Sequence, residues 1–170
     1  MSRILAIDPG NEYSAYVLYD TCLTDLQQQR EMLNVRQLGI YPNEDMLSII
    51  ATTHNDHLAI EMIACYGMPV GKTVFDTCVW IGRFIQVQSD DNKKPFTRVY
   101  RKETKMHLCN SMRAKDGNIR QAIIDRYPAT GGGKMPQIGT KSQPGPLYGV
   151  SKDVWAALAV AITFSETYNE

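Results

Sequence analysis

The order of patterns along this 170-residue chain predicts an α/β fold, a mixed sheet covered by helices. Three observations carry that prediction. Apolar runs of strand length open the chain and return at Leu58–Cys65. Longer segments with apolar residues three and four apart lie between and after them. The last such segment, centred on Ala156-Ala157-Leu158-Ala159-Val160-Ala161-Ile162, is apolar all round and has to pack against the sheet.

Taken in order, Arg3–Asp8 reads as a buried strand ending in Asp-Pro-Gly, a turn signal. Ala15–Tyr19 reads as a second strand and part of Met32–Ile40 as a third, an antiparallel meander. Glu44–Thr53 has the helical spacing Met46, Leu47, Ile50, Ala51. The Leu58–Cys65 run is the fourth strand. A Gly67-Met68-Pro69 loop leads to a helix from about Lys72 to Gln88, with Val74, Cys78, Ile81 and Ile85 expected on its buried face. The polar stretch Ser89–Lys94 precedes a fifth strand near Thr97–Tyr100. Helices near Lys102–Ser111 and Asn118–Arg126 follow. Residues Ala129–Gly149 are rich in Gly, Pro, Ser and Thr and are expected to form a flexible loop. The final helix runs from about Ser151 to Thr167. The length suits one domain, 1–170.

Composition narrows the function classes. At 44% hydrophobic and 21% charged residues, the chain reads as an ordinary globular protein. No apolar run reaches the ~20 residues that span a bilayer, so no membrane role is expected. The strand pattern starts within a few residues, which leaves no visible signal peptide. The four cysteines (Cys22, Cys65, Cys78, Cys109) form no CxxC, and His107 and Cys109 have no second ligand pair near them. The expected state is reduced, mostly buried thiols in the cytoplasm.

The net charge of zero hides a split. Residues 1–92 carry five Lys/Arg and twelve Asp/Glu, whereas residues 93–152 carry thirteen Lys/Arg and three Asp/Glu. A segment this basic inside a neutral protein points to a polyanion partner.

Glu61 is the residue that asks for chemistry. It sits inside an apolar strand, where a carboxylate loses water at a cost of several kcal/mol if unpaired. Asp8 ends the first strand, and Asp153 opens the last helix. Asp8 could be only a turn residue and Asp153 only a partner of the helix dipole; a purely structural reading is weakest for Glu61, because of its desolvation cost. If the first and fourth strands are neighbours, Asp8 and Glu61 converge, and the start of the last helix can bring Asp153 to them. Three carboxylates together repel unless a cation joins them. An all-oxygen set without His or Cys selects Mg²⁺, with Mn²⁺ able to substitute. Such acid-only sites suit two-metal phosphoryl transfer on nucleic acid.

Three stretches resemble RuvC-type Holliday-junction resolvases. They are Ile7-Asp8-Pro9-Gly10, Ala59-Ile60-Glu61, and Asp153-Val154-Trp155-Ala156-Ala157-Leu158-Ala159 with the apolar residues that follow. Their order and spacing fit, and the resemblance covers nearly the whole chain. It implies a ribonuclease H-like mixed five-stranded sheet flanked by helices. It also implies a Mg²⁺-dependent nuclease acting as a homodimer that nicks opposite strands of a four-way junction, in a bacterial or phage-infected cell. Asp8, Glu61 and Asp153 match the family's metal-binding acids. Lys105 falls where the family has a lysine near the scissile phosphate, and Lys115 lies about one residue from a second such position. The family usually carries a second acid or histidine three residues into the last helix. Here that position is Ala156, which puts the number of bound metals in question.

The basic half supplies candidate DNA contacts in Lys93, Lys94, Arg98, Arg101 and Lys102, which can track phosphates. Tyr66, after Glu61, can stack on an unpaired base. Gly67-Met68-Pro69-Val70-Gly71-Lys72-Thr73 imitates a P-loop but has three residues between its glycines where the loop needs four. Lys72 is therefore read as a phosphate contact rather than part of an NTPase. The rival readings are that NTPase, a branched-DNA-binding module without catalysis, and half of a sugar-kinase or actin-like ATPase. The chain is too short for the two lobes of the last.

Overall fold

The computed structural model describes residues 2–21, 34–65, 67–90 and 94–168. Tyr66, Lys93 and the first two residues of the Met32–Ile40 stretch lie outside them. Five strands form one sheet: β1 (Arg3–Asp8), β2 (Tyr13–Asp20), β3 (Val35–Pro42), β4 (His57–Met62) and β5 (Phe96–Tyr100). The described helices are α1 (Asn43–Thr52), α2 (Lys72–Asp90), α3 (Arg101–Cys109), α4 (Asp116–Ile124) and α5 (Val154–Thr167). The strand order is β3-β2-β1-β4-β5. β1–β2 and β2–β3 are antiparallel, as the meander predicts, whereas β1–β4 and β4–β5 are parallel. The sheet is mixed and flanked by helices, as expected.

The central strands are apolar on both faces because both faces are covered. Alternation along β1 and β4 divides their side chains. Ile4, Ala6 and Ala59 join the cluster built around α5 and α4, with Val99, Leu158 and Ile123. Leu5, Ile7, Leu58 and Ile60 join the opposite cluster, with Met46 and Ile50 of α1 and Ile81 and Phe84 of α2. From Val154 to Phe164, α5 is buried everywhere except Ala156. Among the described residues no helix is long and apolar enough to cross a membrane.

The α2 face differs from expectation. Its buried stripe is Thr77, Ile81, Phe84 and Gln88, while Val74, Cys78 and Ile85 are half-buried at its flank. Two polar residues hold the seam because each has a partner. Thr77 donates its hydroxyl to the Thr73 carbonyl (2.8 Å), and Gln88 Nε2 donates to Asn55 Oδ1 (2.8 Å).

The expected loop, residues 129–149, contains no helix or strand but is densely bonded. Gly131 N–H donates to the Pro136 carbonyl, Gly145 N–H to Ile138, and Leu147 N–H to Gln137. Gly139 and Gly145 pack so tightly that a Cβ on either would fall within 2.5 Å of neighbouring backbone atoms. Leu147 and Val150 then anchor the segment in the core beside α5.

At the opposite end of the sheet, Asp20 is buried between two arginines. Arg36 Nε donates to Oδ2 (2.7 Å) and Arg3 Nε to Oδ1 (3.1 Å). Burial works against the Asp20 charge, but the two guanidiniums outweigh it and hold the carboxyl below its usual range. Because the native pKa is depressed, this stabilisation is present above the unfolded value near 4 and is lost as pH falls through the native one. Asp20→Asn is expected to cost about 1–2 kcal/mol at pH 7, since both arginines are partly solvated. Melting curves from pH 6 to 2.5 should show the difference between Asp20→Asn and wild type shrinking with acid.

Candidate active site

Strand register brings the first two acids together. Ile7 of β1 pairs with Ile60 of β4, so Asp8 and Glu61 are the next step along adjacent parallel strands. Both follow the parity of Ala6 and Ala59 and therefore face α5. A slip of one residue would turn either acid to the other side of the sheet. The turn after Asp8 is pinned by buried polar groups. Asn43 Nδ2 donates to the Gly10 carbonyl (2.9 Å), Ser14 Oγ donates to Asn43 Oδ1 (2.6 Å), and Gly10 N–H donates to Ser14 Oγ (3.2 Å). A Cβ at Gly10 would sit 2.3 Å from the Tyr13 carbonyl oxygen, so the turn requires glycine.

Asp153 arrives from the other side. The sequence places it inside the first turn of a helix starting near Ser151. In the structure α5 starts at Val154 and Asp153 is its N-cap, after Lys152 in a left-handed conformation (φ 47°). The Asp153 side chain makes no capping hydrogen bond, so its carboxylate is not spent on the helix. It lines a cavity of about 120 Å³ together with Asp8 and Glu61. The cavity lies at the carboxyl ends of the parallel strands, where open α/β sheets place ligands.

The electrostatics show what this convergence costs. Burial, followed by the charges of Glu61 and Asp153, pushes the Asp8 carboxyl up to about 8. The shift favours the neutral form of Asp8, which as a donor to Glu61 opposes the rise of the Glu61 pKa. Burial also raises Glu61, against the opposing pull of Arg101 and of that bond. Two buried carboxylates side by side resist double ionisation, which pushes the pair toward holding a proton, and a neighbouring cation offsets part of that push. Arg101 is the cation present. Its Nη1 donates to both Glu61 oxygens (3.1 and 3.3 Å), and its Nη2 donates to Asp116 Oδ1.

The donor set fits a hard divalent ion. The cavity's carboxylates come without His or Cys. On the same volume measure a water needs roughly 10–15 Å³, so an ion and several waters have room. Among the described residues, no three acidic, His or Cys side chains stand ready around a single point. Holding an ion therefore requires loss of the Asp8 proton and small side-chain movements, with Arg101 leaving Glu61.

The basic candidates are distributed around this centre. Lys102 and Lys105 line an adjoining cavity of about 470 Å³ with Glu61, Arg101, Met62 and Met112. Lys115 is exposed at the N-cap of α4, its N–H donating to Asn118 Oδ1 (2.9 Å). Arg98 is exposed on the edge strand β5, Lys72 is exposed at the start of α2, and Lys94 is half-buried before β5. Arg101, expected to track phosphates, is instead engaged by Glu61 and Asp116.

Sequence reasoning missed Thr104, Asp116 and Lys152, which also line the central cavity. Asp116 was hidden because α4 begins two residues before the expected Asn118. Asp116 fits the enrichment of acids in a first helical turn, the one local signal that could have marked it. The guanidinium of Arg120 lies over the Trp155 ring (5.0 Å) and ties α4 to α5 above the cavity.

The strand order, the antiparallel β1-β2-β3 meander continued by β4 and β5 parallel to β1, and the helices on both faces define a ribonuclease H-like fold. No family model matches the chain, and no curated protein matches it. Solved structures do. Thermus thermophilus RuvC aligns over 98% of this chain and 95% of its own, with a TM-score of 0.68 and 11% identity. T. thermophilus RuvC in complex with a Holliday junction substrate aligns over 97% and 93%, with a TM-score of 0.63 and 12% identity. The fold is of the RuvC type.

Proposed function

We propose that this chain is a Mg²⁺-dependent endodeoxyribonuclease that nicks four-way junctions and related branched DNA. One observation carries the reading: Asp8, Glu61 and Asp153, far apart in sequence, line one cavity at the carboxyl ends of the parallel strands of a RuvC-type fold. The Holliday junction in the T. thermophilus RuvC complex supports the substrate class.

In this reading Asp8, Glu61 and Asp153 hold Mg²⁺, or Mn²⁺ in its place. When bound, the metal supplies Lewis acidity toward the phosphodiester and a water of lowered pKa. Lys105, on the wall of the adjoining cavity, offsets charge developing on the phosphoryl oxygens. Lys72, Lys93, Lys94, Arg98, Lys102 and Lys115 contact phosphates, and Tyr66 stacks on an unpaired base. Arg101 joins the phosphate contacts once it leaves Glu61. The active form is a homodimer, because two symmetric nicks need two sites related by a two-fold axis. Phe75 and Val79, exposed one turn apart on α2, offer an apolar face for the second copy. The place of action is the cytoplasm of a bacterial or phage-infected cell.

The test uses a labelled synthetic four-way junction in Mg²⁺. Wild-type protein is expected to make paired, symmetric nicks and to spare linear duplex of the same sequence. Glu61→Gln is expected to bind the junction and leave it uncut. Wild-type protein that binds the junction but does not cut it in Mg²⁺ or Mn²⁺ would contradict the reading.

A further inference from the structure

The metal centre has an unused side. From the start of α5, Asp153, Trp155, Ala156 and Ala159 line the cavity, so beyond its N-cap that helix presents no carboxylate. Across from it, α3 and α4 present three polar groups. Asp116 stands in the first turn of α4, and its carboxylate binds the same guanidinium that holds Glu61. Arg101 thus bridges two carboxylates that line one cavity.

The second observation is independent of the acids. Thr104, one turn after Arg101 on α3, lines the cavity and is 4% exposed. Its hydroxyl has no hydrogen-bond partner. A buried hydroxyl without a partner costs roughly 1–3 kcal/mol, so one kept in a cavity wall implies a ligand or water to bind it.

We propose that Asp116 is a fourth carboxylate of the site, sharing a second divalent ion with Glu61 after that ion displaces the Arg101 guanidinium, with Thr104 bonding a water of that ion. The proposal rests on the metal-centre reading above. Its geometry explains why Ala156 is tolerated. The carboxylate that α5 lacks at Ala156 comes from the start of α4. Arg101 holds Glu61 and Asp116 together until the ion arrives, at which point a charge of the same sign replaces it.

The experiment is calorimetric titration of the full-length, DNA-free protein with Mn²⁺. Wild type is expected to bind two ions. Asp116→Asn is expected to lose the weaker one, or to bind it at least roughly tenfold less tightly. Its melting temperature should barely change, because the side chain is exposed on a helix end. Arg101→Gln is expected to bind the second ion more tightly, having no guanidinium to displace. Asp116→Asn combined with Ala156→Asp is expected to regain two-ion binding. A merely structural Asp116 would leave the stoichiometry unchanged, so wild-type binding by a folded Asp116→Asn overturns the proposal and leaves the metal centre standing. A wild-type protein that binds no Mn²⁺ overturns the metal centre itself.

Discussion

Asp8→Asn should abolish DNA cleavage, by at least roughly 10³-fold, and should raise the melting temperature of the metal-free protein. The two effects have one cause. Asp8 is held among Glu61, Asp153 and Asp116 in a cavity it cannot leave, because the turn that follows it is locked by Asn43, Ser14 and Gly10. In the proposed function its ionised form holds a divalent ion, and without an ion that form is disfavoured by burial and by its neighbours. Asparagine keeps the size and donates to Glu61 as the protonated acid does, but it never carries the charge. On the proposed function the site carries strain for the sake of the ion, and the amide is expected to remove cleavage and strain together. Melting in EDTA at pH 8 and junction cleavage in Mg²⁺ check the pair. A variant that melts lower than wild type, or that still cuts, contradicts the electrostatic account.

The second large effect is a coupling of protons to metal. The Asp8 carboxyl sits near 3.8 ordinarily and at about 8 in the folded protein. Between those values the native state keeps a proton that the unfolded chain releases. Stability conferred by this group is complete below about pH 4 and is lost as pH rises through 8. Each unit of the interval is worth about 1.4 kcal/mol, so metal-free protein should lose several kcal/mol between pH 5 and 9. Glu61, also raised, acts in the same direction. If the proposed ion binds, it has to displace the proton that the raised pKa keeps on Asp8, so apparent Mg²⁺ affinity should climb by up to about tenfold per pH unit below 8 and then level off. Calorimetry in buffers of different ionisation enthalpy should record close to one proton released per site at pH 7. Affinity independent of pH, with no proton release, contradicts the account.

The physical source of the readable part of this site is the two-residue period of strands. Arg3–Asp8 is β1 residue for residue, because four consecutive apolar residues ended by Asp-Pro-Gly leave little choice of boundary. Glu61 in its apolar run marked β4, and once β1 and β4 are neighbours, parity alone puts Asp8 beside Glu61. Helices were read less well where polar residues are buried. Thr77 and Gln88 face the sheet because Thr73 and Asn55 satisfy them, and no periodicity of apolar residues reports such partners. The helix starts mattered most for the site. Placing α4 two residues late hid Asp116, and reading Arg101 as a surface cation hid its bridge between Glu61 and Asp116. Both depend on contacts between segments 40 and 15 residues apart, which local pattern does not encode.

The most direct measurement is a crystal structure of the protein soaked in Mn²⁺, with anomalous scattering used to locate the ion. The account predicts an anomalous peak in the cavity, with carboxylate oxygens of Asp8, Glu61 and Asp153 around it and Arg101 turned away from Glu61. A cavity without manganese, with Arg101 still bonded to Glu61 at saturating Mn²⁺ and alkaline pH, would contradict it.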